Sequence, residues 1–170
     1  MRYASMRKMD TSNGNGVHTS IFVQGCYHRC KGCWNESTWD FNGGKEFTEE
    51  LLNKFIECSN ADYITGISIL GGEAFQQNPS EILGLLKTLK DRVGKPIWMW
   101  TGYTFDSIPE EYKECLNYID VLIDGPFIQA EKSLELSFRG SKNQRILDVP
   151  ASLAAGQAVL MTAGRWTGEF

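Results

Sequence analysis

The stretch Val17-His-Thr-Ser-Ile-Phe-Val-Gln-Gly-Cys26-Tyr-His-Arg-Cys30-Lys-Gly-Cys33 runs a β-branched, apolar segment directly into three cysteines. Residues 17–24 read as a strand, and their nearly continuous apolar character is that of a strand buried on both faces. The cysteines follow on a loop with the spacing C-x3-C-x2-C. Downstream, Ile64–Leu70 is a second such strand and ends in Gly71-Gly72-Glu73. Pro96–Thr101 is a third, followed by Gly102. Asp120–Ile123 is a fourth, closed by Asp124-Gly125-Pro126.

Helical patterns separate these strands. Thr48 can cap a helix whose first turn holds Glu49 and Glu50, with Leu51, Phe55 and Cys58 on one face. Asn78-Pro79-Ser80-Glu81 opens another, with Ile82, Leu85, Leu86, Leu89 and Val93 as its buried stripe, and Gly94 ends it. Pro109 opens a third, with Tyr112, Cys115, Leu116 and Ile119 on one face. Residues 3–9 read as a short edge strand or arm, 11–16 and 35–47 as loops, and 145–149 as a further strand. Strands alternating with helices predict an α/β fold with parallel βα units. There are too few units for a closed eight-stranded barrel, so an open, incomplete (β/α) barrel of mostly parallel strands is expected. Chemistry in such folds gathers at the carboxyl ends of the strands, where the cysteines and the Gly71–Glu73, Thr101–Tyr103 and Asp124-Gly125 segments all fall.

With 170 residues, the chain is expected to form one domain over 1–170, with a C-terminal tail at 150–170 that carries no assigned role. A 42% share of hydrophobic residues supports a folded core. A formal net charge of -4 argues against nucleic acid as a partner. The N-terminus lacks the apolar core of a secretory signal and no stretch approaches a membrane span, so a cytoplasmic protein is expected. Five cysteines, an odd count with one tight cluster, point to a metal site rather than a disulfide scaffold. Cys58 and Cys115 fall on apolar helix faces and read as core residues. Cys26, Cys30 and Cys33 are then three thiolates without a fourth, which in an iron–sulfur cubane leaves one iron open. The alternative is a zinc site completed by His18 or His28, and a non-enzymatic zinc or iron–sulfur binding module stays open on spacing alone.

Cys26-x3-Cys30-x2-Cys33 after a strand, with Gly71-Gly72-Glu73 ending the next, resembles the radical S-adenosylmethionine superfamily. Further segments narrow this. Phe22-Val-Gln-Gly-Cys26, Cys30-Lys-Gly-Cys33-Trp-Asn35, Ser37-Thr-Trp39, Trp100-Thr-Gly-Tyr103, Asp120-Val-Leu-Ile-Asp-Gly125 and Arg139-Gly-Ser-Lys-Asn-Gln144 are similar, in order, to the activating proteins of anaerobic (class III) ribonucleotide reductases. The resemblance covers about residues 3–149. It implies a [4Fe–4S] cluster on Cys26, Cys30 and Cys33, whose open iron chelates S-adenosylmethionine. Reductive cleavage then yields a 5′-deoxyadenosyl radical, which takes a hydrogen from one glycine Cα of the large reductase subunit. It also implies S-adenosylmethionine contacts from Gly32, Cys33, Trp34, Gly71, Gly72 and Glu73, no catalytic residue beyond the cluster ligands, and a flavodoxin or ferredoxin-type electron donor. Activases of other glycyl radical enzymes and 7-carboxy-7-deazaguanine synthases are related alternatives that the Trp-Thr-Gly-Tyr and Arg-Gly-Ser-x-Asn-Gln segments disfavour.

The chain departs from the pattern at Ala74, where proline is usual, at Asn15 between two glycines, and at His18, where many relatives have arginine. His28, Arg29 and Lys31 sit between the cysteines, where cations ease reduction of an anionic cluster and can steer an acidic electron donor. Glu73 is assigned either to the substrate amino group or to a backbone role. Trp98 and Trp100 share one face of their strand and read as core. Tyr103 is the better pocket candidate, and Arg139, Asn143 and Gln144 line the pocket, face the partner surface or cap a turn.

Overall fold

The computed structural model describes residues 1–162. Its strands are β1 (Arg2–Asp10), β2 (His18–Val23), β3 (Lys45–Glu46), β4 (Gly66–Gly71), β5 (Ile97–Trp100), β6 (Val121–Asp124) and β7 (Arg145–Asp148). They form one sheet in the order β3-β1-β2-β4-β5-β6-β7. The four central strands β2, β4, β5 and β6 are parallel, while β1, β3 and β7 attach antiparallel. The sheet is open, with β3 and β7 as its two outer strands. Every residue of β2 and β6 is buried, as continuous apolar runs require.

The side chains of successive strand residues alternate between two faces. Ile21, Val23, Ile67, Ile69, Ile97, Met99, Leu122 and Leu147 point to one and join the larger core with the helices. Trp98, Val121, Ile123 and Ile146 belong to a smaller cluster with Met161. The first face carries most of the apolar burial, at about 1.5–3 kcal/mol for each fully buried Ile or Leu. The second face is free to hold polar and aromatic groups around a cavity.

The helices are α1 (Glu49–Ser59), α2 (Pro79–Arg92) and α3 (Val149–Ala155). Thr48 caps α1 by accepting from Leu51 N at 3.2 Å, and Asn78 caps α2 by accepting from Ser80 N at 3.0 Å. Residues Glu110–Tyr118, expected as an ordinary helix, form a 3₁₀ helix instead. Tyr112 and Cys115, then Leu116 and Ile119, are each three residues apart, which suits three residues per turn. β3 covers only the start of β1, at Arg2 and Tyr3, so the rest of β1 lies along the sheet edge as expected. The expected loop at 35–47 therefore contains a two-residue strand, and also a 3₁₀ turn at Glu36–Thr38. The tail begins in α3, whose Val149 is fully buried. Residues 163–170 of the expected tail lie outside the described residues. Among the described residues no helix is long and apolar enough to cross a membrane.

The carboxyl ends of the parallel strands are tied to one another by main-chain bonds. Gly72 N donates to Val23 O at 2.7 Å and Glu73 N to Gly25 O at 2.8 Å. Thr101 N donates to Ile123 O at 2.9 Å and Gly125 N to Tyr103 O at 2.8 Å. The cysteine loop and the Gly71–Glu73 segment are thus held side by side.

Candidate active site

A cavity of about 510 Å³ opens at this end of the sheet, a size typical of small-molecule sites. Cys26, Cys30, Cys33 and Trp34 line it together with Gly71, Gly72 and Glu73. Trp100, Thr101 and Gly102 contribute from β5, and Gly125 from β6. Gly32 lies against Gln129, whose Nε2 would be 2.9 Å from an added Cβ. Nearly all the residues singled out from the sequence meet at this one place.

The cysteine loop turns sharply. Gly25, Arg29 and Gly32 all have positive φ, at 108°, 48° and 72°. Main-chain amides of this loop and of the segment after β6 approach the sulfurs. Cys26 is approached by the amides of His28 and Arg29, and Cys30 by that of Phe127. Asn35 N donates to Cys33 Sγ at 3.3 Å. Burial pushes the Cys26 and Cys30 thiols up, while these amides favour the thiolates. Amide donors to cysteine sulfur are what an iron–sulfur cluster needs to spread its negative charge. Among the described residues, no three His, Cys, Asp or Glu side chains converge on a single metal ion. A cubane spreads its irons over separate corners and needs no such convergence. His18 is fully buried, with Ser68 Oγ at 2.8 Å and the Asn15 carbonyl at 3.2 Å. His28 Nε2 is occupied by Glu73 Oε2 at 3.1 Å.

Gly72 shows why this segment needs glycine. A Cβ there would lie 2.5 Å from Gly25 O and 3.0 Å from Gly25 N, both main-chain atoms beside Cys26. Glu73 is 1% exposed, and its carboxylate accepts from Phe75 N, Thr101 Oγ1, Gly102 N and His28 Nε2. Ala74, in the position of the usual proline, is buried in a short 3₁₀ turn.

Trp98 is core, as read from the sequence, but Trp100 is on the cavity wall and donates from Nε1 to Phe138 O at 2.7 Å. That bond anchors the segment 138–144. Phe138 adopts a left-handed φ of 60°, a strained conformation for a non-glycine residue. Gln144 Oε1 accepts from Gly140 N at 2.8 Å, and its Nε2 donates to Gly125 O at 3.1 Å. Arg139, also on the wall, donates from NH1 to Gln144 O at 3.0 Å and makes no ion pair among the described residues. Its Nε is buried without a partner. Tyr103 does not line the cavity; its ring packs on His28, with centroids 4.6 Å apart.

Two parts of the wall carried no local signal. Arg7 reaches it from β1, Ser12 and Asn13 from the β1–β2 connection, and Leu134 and Leu136 from the irregular segment before β7. The basic side chains around the cysteine loop are exposed at Arg29 and Lys31, and Lys132 lies 4.0 Å over the Trp34 ring.

An open α/β sheet with a three-cysteine loop at its carboxyl edge is the arrangement of a protein that holds one iron–sulfur cluster on three thiolates. In agreement, residues 12–147 match the family described as a 4Fe-4S single cluster domain. The chain is 42% identical over 148 residues to the anaerobic ribonucleoside-triphosphate reductase-activating protein of Salmonella typhi, covering 85% of this chain and 96% of the relative. It is 39% identical to the protein of that name from Escherichia coli strain K12, with the same coverage. It is also 39% identical to that of Enterobacteria phage T4, over 150 residues, 86% of this chain and 93% of the relative. The chain belongs to the family of anaerobic ribonucleoside-triphosphate reductase-activating proteins.

Proposed function

We propose that this chain reductively cleaves S-adenosylmethionine at a [4Fe–4S] cluster and so generates a glycyl radical on the large subunit of an anaerobic ribonucleoside-triphosphate reductase. The observation that carries this reading is a cavity walled by three cysteines on one side and Gly71–Glu73 on the other, in a chain of this family. Cys26, Cys30 and Cys33 would each hold one iron and leave the fourth open. The amides aimed at the three sulfurs fit such a group. When bound, the cluster supplies the electron for cleavage, and the cleavage supplies the oxidant that removes a hydrogen atom from a glycine Cα.

The chain's own residues bind and orient. The main chain of Gly71 and Gly72 lets S-adenosylmethionine approach closely, and Gly32, Cys33 and Trp34 flank it. Arg139 supplies the cation that the methionine carboxylate calls for, since its guanidinium has no acidic partner among the described residues. Glu73 orders the wall and leaves the ligand to the main chain. Phe127, Leu134 and Phe138 add apolar surface to the cavity wall.

The parallel strands act as an incomplete (β/α) barrel, a single domain over 1–170, whose open side admits the reductase's glycine loop. The exposed Arg29 and Lys31 suit docking of an acidic flavodoxin or ferredoxin-type donor in the cytoplasm.

Anaerobic reconstitution tests the reading. The protein takes up four irons, forms 5′-deoxyadenosine with reductant and S-adenosylmethionine, and yields a glycyl radical signal once the reductase subunit is added. A colourless protein holding one zinc overturns it.

A further inference from the structure

Both oxygens of the buried Glu73 carboxylate are taken. Oε1 accepts from Phe75 N at 3.0 Å and Thr101 Oγ1 at 2.9 Å; Oε2 accepts from Gly102 N at 2.7 Å and His28 Nε2 at 3.1 Å. Three of these donors belong to the segments that follow β4 and β5. The fourth crosses over from the cysteine loop, midway between Cys26 and Cys30.

The His28 ring is fitted into a slot. A Cβ on Gly102 would lie 2.5 Å from His28 Cδ2, so only glycine leaves room for it. Tyr103 packs edge-on against the ring at 4.6 Å. A second tie runs in parallel: Tyr27 N donates to Gln76 Oε1 at 2.6 Å, and Gln76 Nε2 donates to Tyr103 Oη at 3.2 Å. The neighbouring Arg29 holds a left-handed φ of 48°, a conformation that a non-glycine residue keeps only when its surroundings impose it. An eight-residue loop with three cysteines has no core of its own, so its shape has to be imposed from outside.

We propose that His28 is a positioning residue that latches the Cys26–Cys30 span onto Glu73 and Gly102, holding the thiols in cluster-binding geometry. The inference rests on the cluster reading above and adds a residue that acts through Glu73. The latch also links the cysteine loop to the segment that cradles S-adenosylmethionine, so a disturbance of either reaches the other.

The test follows cluster absorbance of the reconstituted protein under excess chelator without oxygen. Loss of a partner that orients a metal ligand typically costs 10–100-fold in metal affinity, and His28→Ala is expected to shed its cluster about that much faster. His28→Gln, whose amide can still donate to Glu73, recovers most of the retention. Gly102→Ala crowds the same slot from the other side and hastens loss. A core variant of equal thermal destabilisation, Ile82→Val, keeps its cluster, which separates positioning from general weakening. Should His28→Ala not fold, His28→Gln is compared with the shorter His28→Asn, and only the former is expected to retain iron. Retention by His28→Ala equal to wild type, or His28→Gln no better than the truncated variant, overturns the latch alone. A wild-type chain that takes up no iron overturns the cluster reading and the latch together.

Discussion

Replacing Glu73 by glutamine keeps the shape of the side chain and removes its charge at the most densely bonded carboxylate near the cavity. The carboxylate takes four donors on two oxygens. An amide offers one oxygen. Its best orientation leaves that oxygen to His28 and Gly102 and turns the NH₂ toward Thr101, whose hydroxyl can rotate to accept. Phe75 N–H then faces another donor. Leaving one buried donor unmet costs about 1–3 kcal/mol, and two bonds that fall from charged to neutral lose about 1 kcal/mol each. The glutamine recovers part of this by avoiding the desolvation of a buried charge. The net loss is about 2–4 kcal/mol, which in a domain of this size lowers the melting temperature by roughly 4–16 °C. Thermal unfolding of the cluster-free protein at pH 7, followed by far-ultraviolet circular dichroism, measures it directly. A shift below about 2 °C would refute the reasoning, because it would mean that the four bonds do not hold the carboxylate in solution.

Other outcomes follow from the same geometry. Alanine at Cys26, Cys30 or Cys33 abolishes both the four-iron stoichiometry and 5′-deoxyadenosine formation, and a triple variant that still makes the nucleoside would sink the assignment. Gly72→Ala places a methyl 2.5 Å from Gly25 O; overpacking against main chain costs about 1–3 kcal/mol, read as a lower urea midpoint together with weaker S-adenosylmethionine binding. Burial holds the His18 imidazole down at about 4 against an ordinary 6.5. As the pH falls, the unfolded chain binds this proton first, so stability drops by up to about 3 kcal/mol between pH 6.5 and 4 and then levels. His18→Gln should flatten that part of the urea-midpoint profile, and an unchanged slope would assign it to other groups. If Arg29 and Lys31 receive an acidic electron donor, cluster reduction slows with rising ionic strength and Arg29→Ala weakens the dependence; a rate indifferent to salt in both proteins excludes that docking.

Much of the site was legible because it is built from strand ends. Cys26–Cys33, Gly71–Glu73 and Thr101-Gly102 each follow a strand with a clear apolar run, and parallel order alone brings such ends to one edge. The helix caps at Thr48 and Asn78 were equally local and stand where the residue types put them. The 3₁₀ form of 110–118 was not legible, because a stripe at three- and four-residue spacing fits either helix over so short a run. Trp98 and Trp100 share a face in sequence, yet one is core and the other cavity wall. What covers each depends on the segment at 138–144, which strand periodicity does not reach.

The sequence by itself determined the α/β class, the open parallel centre, the cysteine loop and the family, since these depend on local pattern and on residue types at fixed spacing. Only the tertiary structure decided which side chains brace the cysteine loop and the cavity wall. His28 and Glu73 are 45 residues apart, a separation that local propensity does not relate, and Arg139 reaches the wall on a segment that Trp100 and Gln144 tie down. Such contacts carry no periodic signal: they arise when packing of the larger core sets the strand ends at one distance, and buried polar groups must then find partners across it.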